Sequence, residues 1–275
     1  MNSTVTVNAM YNRAAKIRER ILTVGHNKGG HVAASLSCVD ILVALYDSGI
    51  YEFGPSVLDS RDIICISKGH AELGIYSHLE SYGFIDPEFL SEHYKGGKYL
   101  LGGHIDSSVP GVHFSSGSLG NGLGIVAGFL IGSRYLEPAR QRHGIVLMGD
   151  GELCEGSIWE SANFIGKMQL GNIIALIDNN RLSATTHTSN ILTQNYMEAF
   201  ESFGWNTLRV DGHKIEDLLL QLRSCKESTM PTLMVCDTKK GYPIKEMENE
   251  PLWHTKQVAN QDLQRFLREV PNVFS

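Results

Sequence analysis

The sequence predicts an α/β protein with a doubly wound parallel sheet and helices on both faces. Short β-branched runs alternate with longer amphipathic stretches, several of these runs are followed by Gly- and His-bearing segments, and 42% of the 275 residues are hydrophobic. Such alternation is typical of parallel strands joined by crossover helices. The length and the hydrophobic content are sufficient for a substantial core. We therefore expect one domain over residues 1–275, without internal repeats or a long linker.

The predicted strands are apolar runs rich in Ile, Val, Leu and Met, at residues 62–67, 145–149, 173–178, 207–211 and 232–238. Helices are predicted to begin near Tyr11, Ser37, Ala71, Gly120, Gly156, Asn195 and Ile215, with a short helix after His254. Open α/β sheets bind ligands at the carboxyl ends of their strands. The Gly- and His-bearing segments that follow the predicted strands are therefore expected at the ligand-binding edge.

Charge and cysteine content argue against several classes of protein. The formal net charge is -6, and no run of Lys or Arg could follow a phosphate backbone, so a nucleic acid is not an expected partner. The five cysteines form no C-x-x-C pair, which fits a reducing compartment and argues against a zinc site. The sequence contains neither an apolar signal-peptide core nor an apolar stretch of about 20 residues that could span a bilayer. We therefore expect a soluble, cytoplasmic protein with no membrane partner.

Four glycines recur at four-residue spacing, at Gly120, Gly124, Gly128 and Gly132. On a helix this spacing places them on one face, which then carries no side chains. Each glycine costs about 1 kcal/mol of helix propensity relative to Ala, so a close contact is expected to compensate. The segment is short and polar for a membrane span. A tightly packed helix or a subunit contact is the expectation here.

The strongest local signal begins where a predicted strand ends in Gly-Asp-Gly at 149–151. The flanking glycines let the backbone turn sharply and approach a ligand, and N–H groups at the next helix start can face an anion. Thirty residues after Asp150, the next predicted strand ends in Asp-Asn-Asn, with Asn180 as its last residue. If the two strands are parallel neighbours, Asp150 and Asn180 emerge side by side. A carboxylate and an amide oxygen suit Mg²⁺.

The segments GDGELCEGSIWE and IIALIDNNRL resemble the thiamine-diphosphate motif in its transketolase form. The resemblance implies thiamine diphosphate and Mg²⁺ as cofactors. It implies that the metal is held by Asp150, by the side chain of Asn180 and by the main-chain carbonyl of Leu182. It also places Gly149 and Gly151 at the diphosphate.

Other cofactor contacts follow from the same resemblance. Gly117 and Leu119 would meet the cofactor through main-chain atoms, which accounts for the glycine without a side-chain role. Glu155 and Glu160 stand where the family has acidic residues that link the two cofactor sites of a dimer. The alternative is that both are solvated charges on a helix.

Four of the eleven histidines stand in Gly-rich or loop segments: His31, His70, His104 and His254. One such histidine is more often structural than catalytic, but all four resemble histidines of the transketolase channel. The resemblance implies that His70 and His254 bind the diphosphate, with His254 also facing substrate. His31 and His104 would donate to substrate hydroxyls and to developing oxygen charge, a task that suits imidazole. The remaining histidines are expected to be surface or packing residues: His26, His78, His93, His113, His143, His187 and His213.

A transketolase also needs a second domain, which binds the aminopyrimidine ring and provides a catalytic glutamate. By the resemblance, residues 1–275 form only the diphosphate- and Mg-binding domain, and the pyrimidine-binding domain is expected on a separate C-terminal subunit. The implied assembly is a heterotetramer with active sites at subunit interfaces. The implied reaction is transfer of a two-carbon ketol unit from a ketose or ketose phosphate to an aldose or a related acceptor.

Two alternatives remain open from the sequence. A 2-oxo acid dehydrogenase or decarboxylase subunit would share the GDG and NN segments, although a simple oxo acid does not require the four histidines. A non-catalytic partner could keep the fold for interaction alone, although it would have no need of Asp150, Asn180 and the histidines.

Overall fold

The computed structural model describes residues 5–93, 102–184, 186–192 and 195–270. The helices described are α1 (Val7–Lys28), α2 (Val32–Leu36), α3 (Val39–Asp47), α4 (Glu72–Ser81), α5 (Pro87–His93), α6 (Gly122–Leu136), α7 (Gly156–Lys167), α8 (Tyr196–Ser202), α9 (Ile215–Glu227) and α10 (Asn260–Glu269). The strands are β1 (Ile63–Ile66), β2 (Gly144–Gly149), β3 (Ile173–Asn179), β4 (Leu182–Ser183), β5 (Thr186–His187), β6 (Asn206–Asp211) and β7 (Thr232–Asp237). None of the helices within these ranges combines the length and the apolar character needed to cross a membrane.

A five-stranded parallel sheet forms the centre of the molecule, in the order β1-β2-β3-β7-β6. From β3 the chain passes to β6 at the far edge and returns through α9 to β7, so the strand order reverses between β3 and β7. Such a reversal opens a crevice at the carboxyl ends of the strands. β4 and β5 form a small antiparallel pair directly after β3.

Helices cover both faces of the sheet. Ile64 and Ile66 of β1 belong to a buried cluster with side chains of α1, α3, α4 and α9, while Ile63 and Cys65 belong to a second cluster with α6, α7 and α8. This alternation follows from the two-residue period of a strand. The predicted fold class, a doubly wound parallel sheet with helices on both faces, is confirmed.

The strand predictions agree with the structure to within one residue at each end. For β1, β2, β3 and β7 the signal is clear because strands buried on both faces read as continuous apolar runs, whereas the edge strand β6 is buried only at Val210. The elements that were not predicted are short: α2 has five residues, α5 has seven, and β4 and β5 have two each. α1 begins at Val7 rather than near Tyr11, because Thr6 caps the helix by accepting from the backbone N–H of Ala9 at 3.2 Å.

The expectation of a four-glycine helical face is wrong at its first position. Gly120 precedes α6 and has a φ of +85°, in the left-handed region that favours glycine. A Cβ at Gly124 would lie 3.1 Å from Ser161 Oγ of α7, but at Gly128 and Gly132 it would meet no described atom within 4 Å. No backbone of the described residues therefore packs against the C-terminal half of this face.

Candidate functional site

A small pocket of about 230 Å³ lies at the carboxyl ends of β2 and β3. All four histidines of the Gly-rich and loop segments line it, together with the predicted cofactor and metal residues other than Glu155. The predicted residues on its wall are His31, His70, His104, Gly117, Leu119, Gly149, Asp150, Gly151, Asn180, Leu182 and His254. β2 and β3 are neighbours with Gly149 paired to Asp178, so the predicted emergence of both motifs at one edge is observed.

The floor of the pocket is a buried ion pair between Lys68 and Asp178. Lys68 follows β1, and its Nζ also donates to the carbonyl of Ala34 at 3.2 Å. Asp178 in β3 accepts further bonds from Ser37 and Thr238. Burial alone would lower the pKa of Lys68, but the neighbouring Asp178 outweighs it and the pKa is raised. Lys68 therefore keeps its charge at the bottom of the pocket.

Glu152 connects three segments around the same floor. One oxygen accepts from the hydroxyl of Ser67 and from the backbone N–H of Gly120 at 2.8 Å, and the other accepts from Gly149 N–H at 3.3 Å. The carboxylate is 1% exposed, and burial raises its pKa. Glu152 therefore holds the ends of β1 and β2 against the loop that precedes α6.

The four histidine rings form one group. The ring centroid of His31 lies 6.0 Å from that of His70, 5.9 Å from that of His104 and 5.3 Å from that of His254. The rings of His70 and His254 are 5.7 Å apart. These residues come from four separate segments of the chain, so only the tertiary fold brings them together.

Neighbouring groups set the orientation of the rings. The Nδ1 atom of His31 lies 3.2 Å from Glu72, so a proton on Nδ1 is held by the carboxylate and Nε2 is left for a ligand. Gly117 lies against the ring of His104, where a Cβ would come within 3.0 Å of the ring carbons. His254 ends a short 3₁₀ turn that is anchored by Trp253, a residue buried against Phe266 of α10.

The pocket contains many side-chain nitrogen atoms, but its histidines His70 and His254 are largely uncharged. Burial, reinforced by the charge of Lys68, lowers the pKa of His70 to about 2. Burial and the nearby Lys240 lower the pKa of His254 to about 4. Lys240 Nζ lies 3.2 Å from His254 Nδ1, and burial together with Lys68 lowers the pKa of Lys240 to about 8. At neutral pH the pocket thus holds the ammonium groups of Lys240 and of Lys68, the latter paired with Asp178, and the neutral imidazoles of His70 and His254, all of which can donate to a polyanion.

The three predicted metal ligands adjoin one another on the wall. Asp150 is 1% exposed, and its carboxylate accepts from Gly151 N–H at 3.0 Å and from Thr188 Oγ1 at 3.1 Å. The side-chain oxygen of Asn180 accepts from Leu182 N–H at 3.1 Å. Gly151 cannot carry a side chain, because a Cβ would lie 2.7 Å from Ser183 Oγ.

The chemistry of this set fits Mg²⁺. Burial, and next the charge of Asp178, raise the pKa of Asp150 to about 7. Among the described residues no group of three or more His, Cys, Asp or Glu forms a metal cluster. Mg²⁺ does not require one, because it is commonly held by one or two carboxylates with waters and substrate phosphates.

Glu155 and Glu160 do not line the pocket; both are exposed. His113, which follows His104 in the same loop, also lies outside the pocket: its Nε2 lies 2.9 Å from Ser60 Oγ, and its Nδ1 accepts from Ile64 N–H at 3.1 Å.

A wider cleft of about 960 Å³ lies beyond the Asn180–Leu182 wall, but it contains none of the four grouped histidines. Convergence of polar groups, rather than size, therefore identifies the candidate site.

Lys68, Glu152 and Lys240 also line or adjoin the pocket, and they are not among the residues predicted from the sequence. Lysine and glutamate are almost never fully buried without a partner, so their residue types alone give no reason to expect them in a buried site. A signal was present for Lys68, which stands between an apolar strand and Gly69-His70.

Comparison with known proteins agrees with this geometry. The family model described as the thiamine diphosphate binding domain of transketolase matches residues 12–270. The fold and the matched domain define the chain as an α/β protein of the thiamine diphosphate-binding class. It belongs to the transketolase family.

Relatives differ in how much of their length the chain covers. The chain is 32% identical over 262 residues to one of the subunits of the apulose-4-phosphate transketolase of Phocaeicola vulgatus, covering 94% of this chain and 92% of that protein. It is 31% identical over 250 residues to the transketolase of Mus musculus, covering 88% of this chain but only 38% of the mouse protein. The crystal structure of transketolase from Campylobacter jejuni superposes with a TM-score of 0.84 at 26% identity, covering 98% of this chain and 43% of that one.

Proposed function

We propose that this chain is the diphosphate-binding subunit of a split transketolase, which uses thiamine diphosphate and Mg²⁺ to transfer a two-carbon ketol unit from a ketose or ketose phosphate to an aldose or a related acceptor. The observation that carries the proposal is the convergence of His31, His70, His104 and His254 on the pocket that contains Asp150. A hydroxyl-rich donor needs several hydrogen-bonding groups, whereas a simple oxo acid does not.

The proposed role of each residue follows from its position in the pocket. Asp150, the Asn180 side chain and the Leu182 carbonyl would hold Mg²⁺. Gly149 and Gly151 would let the backbone approach the diphosphate, and main-chain atoms of Gly117 and Leu119 would contact the cofactor. Bound thiamine diphosphate would supply the nucleophilic carbon that accepts the ketol unit.

The polar side chains would act on the anionic cofactor and on the sugar. Lys68 and Lys240 provide the positive charge beside the diphosphate, and His70 and His254 can each donate one N–H to it. His31 would bind a substrate hydroxyl through Nε2 while Glu72 holds Nδ1. His104 would donate to the oxygen on which negative charge develops, which is the electrostatic part of catalysis.

A partner is part of the proposal. We infer that residues 1–275 form one diphosphate- and Mg-binding domain, that a second chain provides the pyrimidine-binding domain, and that two copies of each form a heterotetramer. The extensive match to two proteins that are each named as one subunit of an apulose-4-phosphate transketolase supports this arrangement. Glu155 and Glu160, both exposed, are available to meet that partner.

The decisive experiment mixes this chain with a pyrimidine-domain subunit, thiamine diphosphate and Mg²⁺, and follows donor consumption and aldose-dependent product formation. Ketose phosphates, including apulose 4-phosphate, and 2-oxo acids serve as competing donors. We expect ketose turnover that requires both chains. Cofactor binding with turnover of 2-oxo acids alone would assign the chain to the decarboxylase class, and absence of cofactor binding would indicate an interaction protein.

Substitution of the proposed metal ligand gives a sharper test. Asp150→Asn keeps the size of the side chain and removes its charge, so we expect metal-dependent cofactor affinity to fall by at least about 100-fold, equivalent to about 3 kcal/mol. Titration calorimetry at fixed Mg²⁺ measures the effect. Asp217→Asn, in the first turn of α9, is the control and should bind as the wild type does. Unchanged affinity in Asp150→Asn would refute the metal assignment.

A further inference from the structure

A second pocket, of about 380 Å³, lies at the opposite edge of the sheet, where α6 ends and β2 and β3 begin. We call it the arginine pocket. Its polar side chains include those of Ser133, Arg134, Arg140, Arg142, His143 and Asn172. None of these residues belongs to the candidate cofactor site.

Positive charge is in excess around the arginine pocket. Among the described residues that line it, three are arginines and none carries a carboxylate. The adjacent Glu137 lies 2.9 Å from Arg142 and 3.7 Å from Arg140, and so is shared between two guanidinium groups. His143 is paired with Asp62, at 3.2 Å. A chain of net charge -6 thus gathers three guanidinium groups at a pocket whose adjacent carboxylates are Glu137, shared by two of them, and Asp62, paired with His143.

Neutral acceptors make the other contacts of these arginines. Arg134 donates to Asn172 Oδ1 at 2.9 Å, and Arg142 donates to the carbonyls of Val57 and Ser60 at 2.8 and 2.9 Å. Arg140 also donates to the Ser60 carbonyl. Carbonyl and amide oxygens orient the guanidinium groups but do not neutralise them.

Two buried polar atoms of the pocket residues lack a partner. Arg142 is 3% exposed and Ser133 is 8% exposed. Neither Arg142 Nε nor Ser133 Oγ has a hydrogen-bond partner within the part of the chain that the structure describes. Unpaired buried polar atoms are costly in a folded protein, and both of these atoms belong to side chains that line the arginine pocket.

We propose that the arginine pocket binds a small phosphorylated anion, either free phosphate or a phosphate monoester. Guanidinium groups match phosphate geometry and donate in pairs, and a phosphoryl group offers more acceptors than the single shared carboxylate. Because Arg134 lies in the last turn of α6 and Arg140 and Arg142 lie between α6 and β2, while Asn172 precedes β3, the bound anion would join both connections at this edge.

The test measures the thermal midpoint of the full chain in about 10 mM phosphate and in chloride of equal ionic strength. We expect phosphate to raise the midpoint by about 3 °C, since a ligand of the native state stabilises it. Arg134→Gln/Arg140→Gln should lose most of that shift, and Arg223→Gln on the exposed face of α9 should retain it. Arg134→Glu, a single change at an exposed position, repeats the test if the double variant folds poorly.

Two further measurements identify the phosphoryl source and locate the bound anion. Ribose 5-phosphate replaces phosphate in a parallel series, and the tighter of the two ligands identifies the source of the phosphoryl group. His70→Ala removes a residue of the cofactor pocket and should leave the phosphate shift intact. Absence of a shift in the wild type overturns the proposal. A shift that survives in Arg134→Gln/Arg140→Gln but disappears in His70→Ala places the anion in the cofactor pocket and also overturns it.

Discussion

The charge of Lys240 depends on its burial and on Lys68, the other ammonium group of the candidate site. Burial and Lys68 lower the pKa of Lys240 from its ordinary value of 10.5 to about 8. The side chain is therefore charged at pH 7 and largely neutral at pH 9. A polyanion favours the charged form, so its binding would draw a proton onto Lys240 at alkaline pH.

The affinity for thiamine diphosphate with Mg²⁺ should fall as the pH rises through 8. Lys240→Met should lower the affinity at pH 7 by about 10-fold, the effect of one charged hydrogen bond, and should flatten the profile between pH 7 and 9. Titration calorimetry at several pH values measures both effects. Lys245→Met, at an exposed position nearby, should retain the wild-type profile. A profile in Lys240→Met as steep as that of the wild type would contradict the role of this lysine.

At the scale of elements, α6 carries glycines that contact nothing within the described chain. A Cβ at Gly128 would meet no atom within 4 Å, although the residue lies in the middle of a 15-residue helix. Close by on the same helix, Ile125 is 40% exposed and Tyr135 is 84% exposed. Glycine lowers the helix propensity of α6, and the exposed Ile125 and Tyr135 leave apolar surface in water, so both features are unfavourable in an isolated chain. Close contact with a partner subunit would explain both.

We therefore expect Gly128→Ala to stabilise the isolated chain and to weaken its association with the partner subunit. The free energy of unfolding of the isolated chain should rise by about 0.5–1 kcal/mol, because alanine restricts the unfolded chain and favours the helix. Association with the pyrimidine-domain subunit should weaken. Chemical unfolding and analytical ultracentrifugation measure the two effects. Ser224→Ala, at an exposed position within α9, is the control for propensity. If Gly128→Ala assembles like Ser224→Ala, this face is not a subunit contact.

The sequence predicted the central sheet closely and the site only in part. Buried parallel strands have an uninterrupted apolar pattern, and the Asp150 and Asn180 segments have a fixed spacing. Both features can therefore be recognised in the sequence. The buried charges of Lys68 and Asp178 are not, because their pairing joins residues 110 positions apart through the fold. Similarly, nothing local indicates that Glu155 is outside the pocket while Glu152, three residues earlier, is beneath it.

At the scale of the whole molecule, several buried histidines make stability depend on pH. His78 of α4 is fully buried beside Tyr46 and Tyr82, and neither ring nitrogen has a partner among the described residues. Burial, with a further effect of Arg13, lowers the pKa of His78 to about 3. Because the unfolded chain titrates near 6.5, it binds more protons than the native chain between pH 6.5 and 3. The native state should lose stability as the pH falls through this window.

His78→Phe should reduce this acid sensitivity while preserving the ring packing. One proton fewer bound on unfolding lowers the slope of the unfolding free energy by about 1.4 kcal/mol per pH unit between pH 6 and 4. Urea unfolding at stepped pH values gives the slope. His187→Phe, an exposed histidine, should leave the slope unchanged. Equal slopes in wild type and His78→Phe would show that His78 is protonated in the native state.

The Lys68–Asp178 pair has a consequence for the thermodynamics of ligand entry. Ala34 and Ser37, in and directly after α2, and Thr238, directly after β7, hold this pair, and all these bonds join protein groups alone. Little of the chain remains to be ordered at the base of the pocket, so the entropic cost of organising it is part of the folding free energy. Cofactor binding should accordingly show only a small change in heat capacity, unlike the large negative value of a site that folds around its ligand.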